Sequence, residues 1–470
     1  MKTQIIYSLL VILCSFITVG SAQESGTTGE QILTFEEYIG YVKKHHPLLK
    51  QAELVLKQGE ANLLKARGGF DPKIEVDYAR KQFKGIDYYD ELNTTFKIPT
   101  WYGVEFKAGF EQNSGEFLNP RLNVPEEGLY SVGVSIALAQ GFLINDRMAT
   151  LRKAKFFKEQ TKADRDLLVN NVLFEASKAY FEWLEYANAQ RIYTAFLENA
   201  TIRLKAVERS VAVGDKAAID SVEAKITLQN RELNLEVVSL KRQKAALIVS
   251  NFLWLQDVPI ELQDDIMPII PQQQILKQSL QIDGTMQVDA FLETHPKLRS
   301  LDAKISNLII DRSLKKNKLL PKINLEYNFI SPEFNDLSGY NTQEYKAGLA
   351  FSYPIFTRKE RGDVRLAEQK LQSTELDRIS TSLTLKNKLS AVQTEITSLD
   401  KQNELIKRIV DDYKTLVSAE ERKFFLGESS LFLINSREQK LINAELKENT
   451  LLIKQITAIA NLYNVLGLGN

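Results

Sequence analysis

Cysteine and histidine are almost absent from this sequence of 470 residues. The one cysteine, Cys14, lies in the first segment, so the rest of the chain has no disulfide, thiol nucleophile or thiolate metal site. The three histidines, His45, His46 and His295, form no cluster with carboxylates at ligand spacing. Phosphate-binding glycine loops and nucleophile elbows are missing too. The sequence therefore argues against an enzyme, a metal site and a bound cofactor.

Charge of one sign and long apolar runs are also scarce. The 60 basic residues balance the 60 acidic ones, which predicts no nucleic-acid partner. One apolar run, Ile5 to Val19, ends in Gly20-Ser21-Ala22 and predicts a signal peptide over residues 1–22. A membrane anchor is less favoured because the run is short for a span. No other stretch suits a transmembrane helix, so any membrane-spanning part must consist of strands.

A pattern that occurs twice organises the remainder. His46-Pro47 precedes a helical run and then residues 71–78; His295-Pro296 precedes a helical run and then residues 320–327. Corresponding residues are separated by the same 249 positions, which indicates an internal repeat. In the first copy Ile74, Val76 and Tyr78 alternate with charged residues. This period of two predicts a strand with one apolar and one charged face.

Long helices follow the strands in each copy. Residues 145–211 contain no proline or glycine, and one helix of that length spans about 100 Å. Apolar residues recur there at steps of four and three, as they do in residues 389–424, which predicts a coiled-coil seam. Gly214-Asp215 and Gly427-Glu428 interrupt the two patterns and predict helix reversals. The predicted segments are a signal peptide (1–22), a first repeat (23–265, with strands in 70–142 and a helix pair in 145–255), a connector (266–285) and a second repeat (286–470, with strands in 321–354 and a helix pair in 361–466).

The first copy holds 34 more residues than the second between its outer strands (249 − 215), because Tyr130 and Tyr345 are only 215 apart. The surplus coincides with residues 92–112, whose alternation on both sides of Pro99 predicts an added hairpin. Whether this hairpin joins the other strands is open at this point.

The predicted fold class is mainly α with membrane β. The charged surfaces of the long helices place them in water, and the strands of one chain are too few to close a barrel. Several chains must therefore share one barrel above a helical stalk.

In these features the chain resembles the TolC-like outer-membrane efflux protein family over about residues 31–468. The resemblance rests on the signal peptide, the two His-Pro units with their Pro-Lys-Ile strands, and the motifs Tyr353-Pro354-Ile355-Phe356, Arg361-Gly362, Val213-Gly214-Asp215 and Leu426-Gly427-Glu428. It implies a homotrimer with a shared β-barrel in the outer-membrane lipid of a Gram-negative bacterium and a periplasmic α-barrel. It further implies a passive exit duct for efflux or type I secretion, with a periplasmic adaptor and an inner-membrane pump as partners.

The resemblance also implies functional residues. Helix reversals meet the adaptor in this family, which maps docking onto Gly214, Asp215, Gly427 and Glu428; alternatively, the glycines only end helices. Acidic residues often line the closed end after the second reversal, but Leu433 and Ser436 stand there in this chain. We expect either an acidic constriction from Asp220 and Glu223 or an apolar one at Leu433, and a solvated helix face remains an alternative. Phe424 replaces a hydroxyl-bearing aromatic residue, so a latch through that hydroxyl is not expected.

Two other functions compete with the channel. A periplasmic coiled-coil scaffold or adaptor without a pore would explain the helices but not the two sets of alternating strands. An enzyme would need a catalytic constellation that the sequence lacks. Neither the cargo nor the particular pump can be inferred from these residues.

Overall fold

The computed structural model describes residues 31–280, 288–339 and 341–468. The predicted signal peptide and residues 281–285 of the predicted connector lie outside these ranges. Helices predominate and pack side by side next to one six-stranded sheet. None of the helices in the described part of the chain combines the length and the apolar character that crossing a membrane requires.

The elements are numbered in chain order. The helices are α1 (Phe35–His45), α2 (Pro47–Arg67), α3 (Asp146–Ala212), α4 (Ala218–Ser250), α5 (Gln273–Ser279), α6 (Val288–Thr294), α7 (Pro296–Asn317), α8 (Arg358–Phe425) and α9 (Leu431–Leu466). The strands are β1 (Gln31–Leu33), β2 (Lys73–Phe83), β3 (Ile86–Pro99), β4 (Val104–Ser114), β5 (Leu129–Ala137), β6 (Trp254–Leu255), β7 (Val258–Pro259), β8 (Ile266–Pro268), β9 (Lys322–Ser331) and β10 (Tyr345–Ser352).

Two long helices set the dimensions of the helical part. Helix α3 has 67 residues and α8 has 68, so each spans about 100 Å. Helix α3 begins after Asn145, whose side chain accepts a hydrogen bond from the backbone N–H of Met148 at 2.8 Å. The predicted seam is buried in both long helices, for example at Ala176 and Trp183 in α3 and at Leu399 in α8. Packing of this stripe, rather than helix propensity, stabilises helices of such length.

Each long helix is flanked by two shorter ones. Helices α2 and α4, of 21 and 33 residues, pack along α3, while α7 and α9, of 22 and 36 residues, pack along α8. Helix α3 also contacts α7 and α9, which joins the two halves of the chain.

A histidine lies where the two shorter helices of each set meet. His46 is the N-cap of α2 and His295 is the N-cap of α7; each Nδ1 accepts a hydrogen bond from the backbone N–H two residues later, at 3.3 and 3.0 Å. Both are buried, and each makes a backbone hydrogen bond at the end of the other short helix, at Asn251 beyond α4 and at Val465 in α9. Each of these histidines therefore caps one helix and also bridges two helix ends.

The strands of the large sheet have the order β10-β9-β5-β4-β3-β2, and each pair of adjacent strands is antiparallel. The residues of the predicted added hairpin form part of β3 and β4, which pair with each other and with the flanking strands β2 and β5. The turn between β2 and β3 has positive φ at Lys84 and Gly85, 52° and 77°, as tight hairpins require. Among the described residues, β2 and β10 each have one unpaired edge.

The described part of the predicted connector (266–285) contains two elements, β8 and α5. Strand β8 pairs in parallel with β1, and Tyr180 clamps the pair: its hydroxyl donates to the carbonyl of Leu33 at 2.7 Å and accepts from the N–H of Ile269 at 3.2 Å. Because β1 lies more than 200 residues earlier, no local pattern announces this pairing. The first helix pair was predicted to extend to residue 255. Helix α4 ends earlier, at Ser250, and residues 254–255 form β6.

Acid should weaken the junction of α7 and α9. Burial lowers the pKa of His295 from 6.5 to about 4. Between these values the unfolded chain binds a proton at this residue and the folded chain does not. The free energy of unfolding therefore has its full value above about pH 6.5 and declines by about 3 kcal/mol as the pH falls to about 4. Burial lowers the pKa of His46 as well, in the same sense.

We predict that His295→Asn, which keeps a helix-capping side chain, removes this part of the pH dependence. The apparent melting temperature should fall more steeply with acid in the wild type than in the variant. The matched control is His45→Asn, because His45 caps neither of the two helices. Equal pH profiles for the wild type and His295→Asn would contradict the prediction.

Candidate functional site

The six-stranded sheet has one continuous apolar face. Residues that stand opposite each other on antiparallel strands share a face. One such row crosses all six strands and contains no charged side chain: Ile74, Phe96, Ala108, Val132, Phe329 and Tyr345. Most of these residues are exposed or half-buried in the single chain. No other part of the described chain therefore covers this face.

The opposite face is polar. The neighbouring row across the same strands reads Lys73, Lys97, Lys107, Gly133, Asn328 and Lys346. Ion pairs connect this row to acidic residues on other strands, including Lys107–Glu326 at 3.1 Å, Lys346–Glu111 at 2.9 Å and Lys97–Glu75. A sheet with these two faces fits a boundary between an apolar phase and water.

Both helix reversals have the same backbone geometry. At the first reversal, the N–H of Asp215 donates to the carbonyl of Ser210 at 2.9 Å, and the N–H of Gly214 donates to the carbonyl of Val211 at 3.1 Å. The second repeats these bonds at Glu428 and Gly427, at 2.8 and 3.1 Å. The glycines have φ of 84° and 78°, so both reversals are Schellman motifs. The helix-ending role considered for these glycines is confirmed, and it is compatible with docking.

The two reversals are packed together. Val207, Ala224 and Leu431 form a buried cluster that Phe424 supports. The ammonium of Lys216 lies 4.1 Å from the ring centroid of Phe424, a cation–π contact in place of the hydroxyl latch. The outer surface of this end is apolar and exposed at Val213, Ile219, Phe425, Leu426 and Phe432.

The predicted constriction residues lie near this end, in the first turns of α4 and α9. Asp220 and Glu223 are half-buried, and Asp220 lies in the first turn of α4, where a helix favours negative charge. The Glu223 carboxylate accepts a hydrogen bond from Asn435 of α9 at 3.3 Å. Leu433 is exposed and Ser436 is half-buried on the same helix. The candidates from the two halves of the chain therefore occupy adjoining helices.

A buried charge cluster in the same region was not predicted. Glu438 is only 1% exposed, and its two carboxylate oxygens contact Arg203 of α3 at 2.9 Å and Arg231 of α4 at 3.4 Å. Arg231 is 3% exposed and also donates to Gln439 at 2.6 Å. The cluster ties the second helix pair to the first. The signal in the sequence was the charged residue Glu438, which lies in the apolar stripe of α9 between Ile434 and Leu441.

Comparisons with known proteins agree with this architecture. The model of the outer membrane efflux protein family matches residues 288–468. No curated protein matches the sequence. Among solved structures, the chain is similar to the Campylobacter jejuni CmeC outer membrane channel, with 14% identity, coverage of 92% of this chain and 85% of that one, and a TM-score of 0.67.

Two further structures show the same fold. The open state of the Neisseria gonorrhoeae MtrE outer membrane channel has 14% identity, coverage of 92% and 89%, and a TM-score of 0.66. The Vibrio cholerae outer membrane protein VceC has 14% identity, coverage of 92% and 95%, and a TM-score of 0.63. The predicted TolC-like fold is therefore confirmed over nearly the whole chain. The match to the family model covers the second half of the chain, residues 288–468.

We predict that Glu438→Ala destabilises the chain by about 3–5 kcal/mol, because it leaves two buried guanidinium groups without their carboxylate. Glu421→Ala is the matched control: Glu421 contacts the same Arg203 at 3.4 Å, but its side chain is 39% exposed. The control should change stability by at most about 1 kcal/mol. Chemical unfolding measures both, and equal losses would contradict the assignment.

Proposed function

We propose that the chain is the outer-membrane exit duct of a tripartite efflux or type I secretion system. Three copies form a passive channel that carries substrates from a periplasmic adaptor and an inner-membrane pump across the outer membrane. The observation that carries the proposal is the sheet with a continuous apolar face, joined directly to helices of about 100 Å. The family match supports the same direction of transport, out of the cell.

The need for more than one chain follows from the open strand edges. In hydrocarbon every backbone N–H and C=O group needs a partner, and an open sheet leaves two strand edges without one. Here these are the outer edges of β2 and β10, whose residues are all exposed in the single chain. Pairing β2 of one copy with β10 of the next closes the sheet into a barrel. The homotrimer itself is taken from the resemblance to the family.

The helix reversals are the proposed docking surface for the adaptor, centred on Gly214, Asp215, Gly427 and Glu428. Two observations support this. The reversals lie at the end of the long helices opposite the sheet, and apolar side chains there remain exposed, with Phe425 at 79% and Leu426 at 74%. Exposed apolar patches are typical of interaction sites.

The same end is the proposed constriction. Asp220 and Glu223 would form an acidic ring when three copies meet, and such rings attract cations. Leu433 and Ser436 adjoin them on α9. The hydrogen bond from Asn435 to Glu223, together with the Glu438 cluster, links the helix pairs and favours a closed duct.

The first test is single-channel recording of the purified trimer in a planar bilayer. We expect discrete, long-lived openings with a preference for cations. The combined variant Asp220→Ala, Glu223→Ala should lose that preference while it still conducts. Unchanged selectivity would refute the acidic constriction. A protein that is monomeric and absent from outer membranes would refute the duct and favour a periplasmic scaffold.

The docking proposal predicts that Leu426→Asp abolishes the resistance to toxic compounds that the wild-type chain restores to a cell lacking it. The reason is that a charge replaces an apolar contact in the proposed interface. Leu64→Asp is the matched control, since Leu64 is 70% exposed but lies in α2, near the sheet. Equal resistance with both variants, at equal amounts of trimer in the outer membrane, would contradict docking at this surface.

A further inference from the structure

The geometry points to a barrel of eighteen strands, six from each chain, in which the added hairpin β3–β4 forms part of the membrane wall. This inference rests on the proposed function. Without the hairpin each chain would contribute four strands, and three chains would form a barrel of twelve. The alternatives are that the hairpin folds into the lumen or lies outside the membrane.

The first argument is the continuity of both faces. The apolar row from Ile74 to Tyr345 includes Phe96 of β3 and Ala108 of β4, and the polar row on the other face includes Lys97 and Lys107 of these strands. A hairpin in the lumen or outside the membrane would expose its apolar residues to water. Only a position in the wall matches both rows to those of the flanking strands.

Strand length is the second argument. A strand needs about 9–11 residues to cross a membrane at the usual tilt. Strand β3 has 14 residues and β4 has 11, against 11 in β2 and 10 in β9. The added strands are therefore long enough to cross beside their neighbours.

The third argument is that the inner turn of the hairpin is anchored to the helices. The ring of Trp101 stacks on Phe70 at 5.6 Å and lies under the guanidinium of Arg152 at 5.4 Å. The side chain of Asn145 donates to the carbonyl of Trp101 at 3.1 Å, and Arg147 of α3 pairs with Glu105 of β4. These contacts fix the hairpin at the rim where the sheet meets the long helices.

A barrel grows in diameter roughly in proportion to its number of strands, so eighteen strands give a lumen about one and a half times as wide as twelve. The membrane part is then wide relative to the helical end, and the constriction near Glu223 limits what passes. The fold thus accommodates bulky cargo at the outer opening.

Cysteine labelling in intact outer membranes tests the position of the hairpin. Cys14, the only native cysteine, lies in the predicted signal peptide, so single engineered cysteines give no background. Thr95→Cys and Phe96→Cys are adjacent in β3 but lie on opposite faces, and Asn324→Cys and Leu325→Cys form the matched pair in β9. The probe is a charged, membrane-impermeant maleimide, with all sites accessible after denaturation as the reference.

We expect at least tenfold faster labelling at Thr95→Cys than at Phe96→Cys, and the same ratio for Asn324→Cys over Leu325→Cys. Equal labelling at the two β3 sites with a preserved ratio in β9 would overturn the eighteen-stranded barrel and leave the duct intact. Equal labelling in both pairs would overturn both proposals. A cross-section of the barrel from electron cryomicroscopy is an independent test. Eighteen strands would support the inference, and twelve would overturn it.

Discussion

Backbone hydrogen bonding at the two open edges of the sheet is the constraint on which the structure depends. A sheet with one apolar face fits a lipid bilayer, but its outer strands cannot leave N–H and C=O groups unpaired there. Because β2 and β10 run in opposite directions, the edge of one chain suits the edge of another. The proposal that several chains share one barrel follows from this requirement.

The helical part solves a different problem, which is to keep helices of about 100 Å straight and in register. Each long helix is matched by two shorter ones, and a buried histidine bridges their ends in both halves. At the far end Arg203, Arg231 and Glu438 tie the helix pairs together. Breaking such a cluster is costly because it leaves buried charge unpaired. Ion pairs therefore hold the helices together at the end that lies opposite the sheet.

Local patterns in the sequence were sufficient for much of the fold. Alternation predicted the strands, and the absence of glycine and proline predicted α3. The pairing of β1 with β8 and the contact of Glu438 with Arg203 join residues more than 200 positions apart, so neither has a local signature. The lining of the proposed constriction depends on how the chains meet, which one sequence does not specify.

Disulfide cross-linking between the two sheet edges tests the central claim most directly. Asp77→Cys in β2 is combined in turn with Lys346→Cys, Gly348→Cys and Ala350→Cys in β10, all on the polar face. Five strand spacings, about 24 Å, separate the edges within one chain, so a disulfide can only join two copies. The account predicts a covalent species of three chains on oxidation for at least one pair. Failure of all three pairs to link the chains would contradict it.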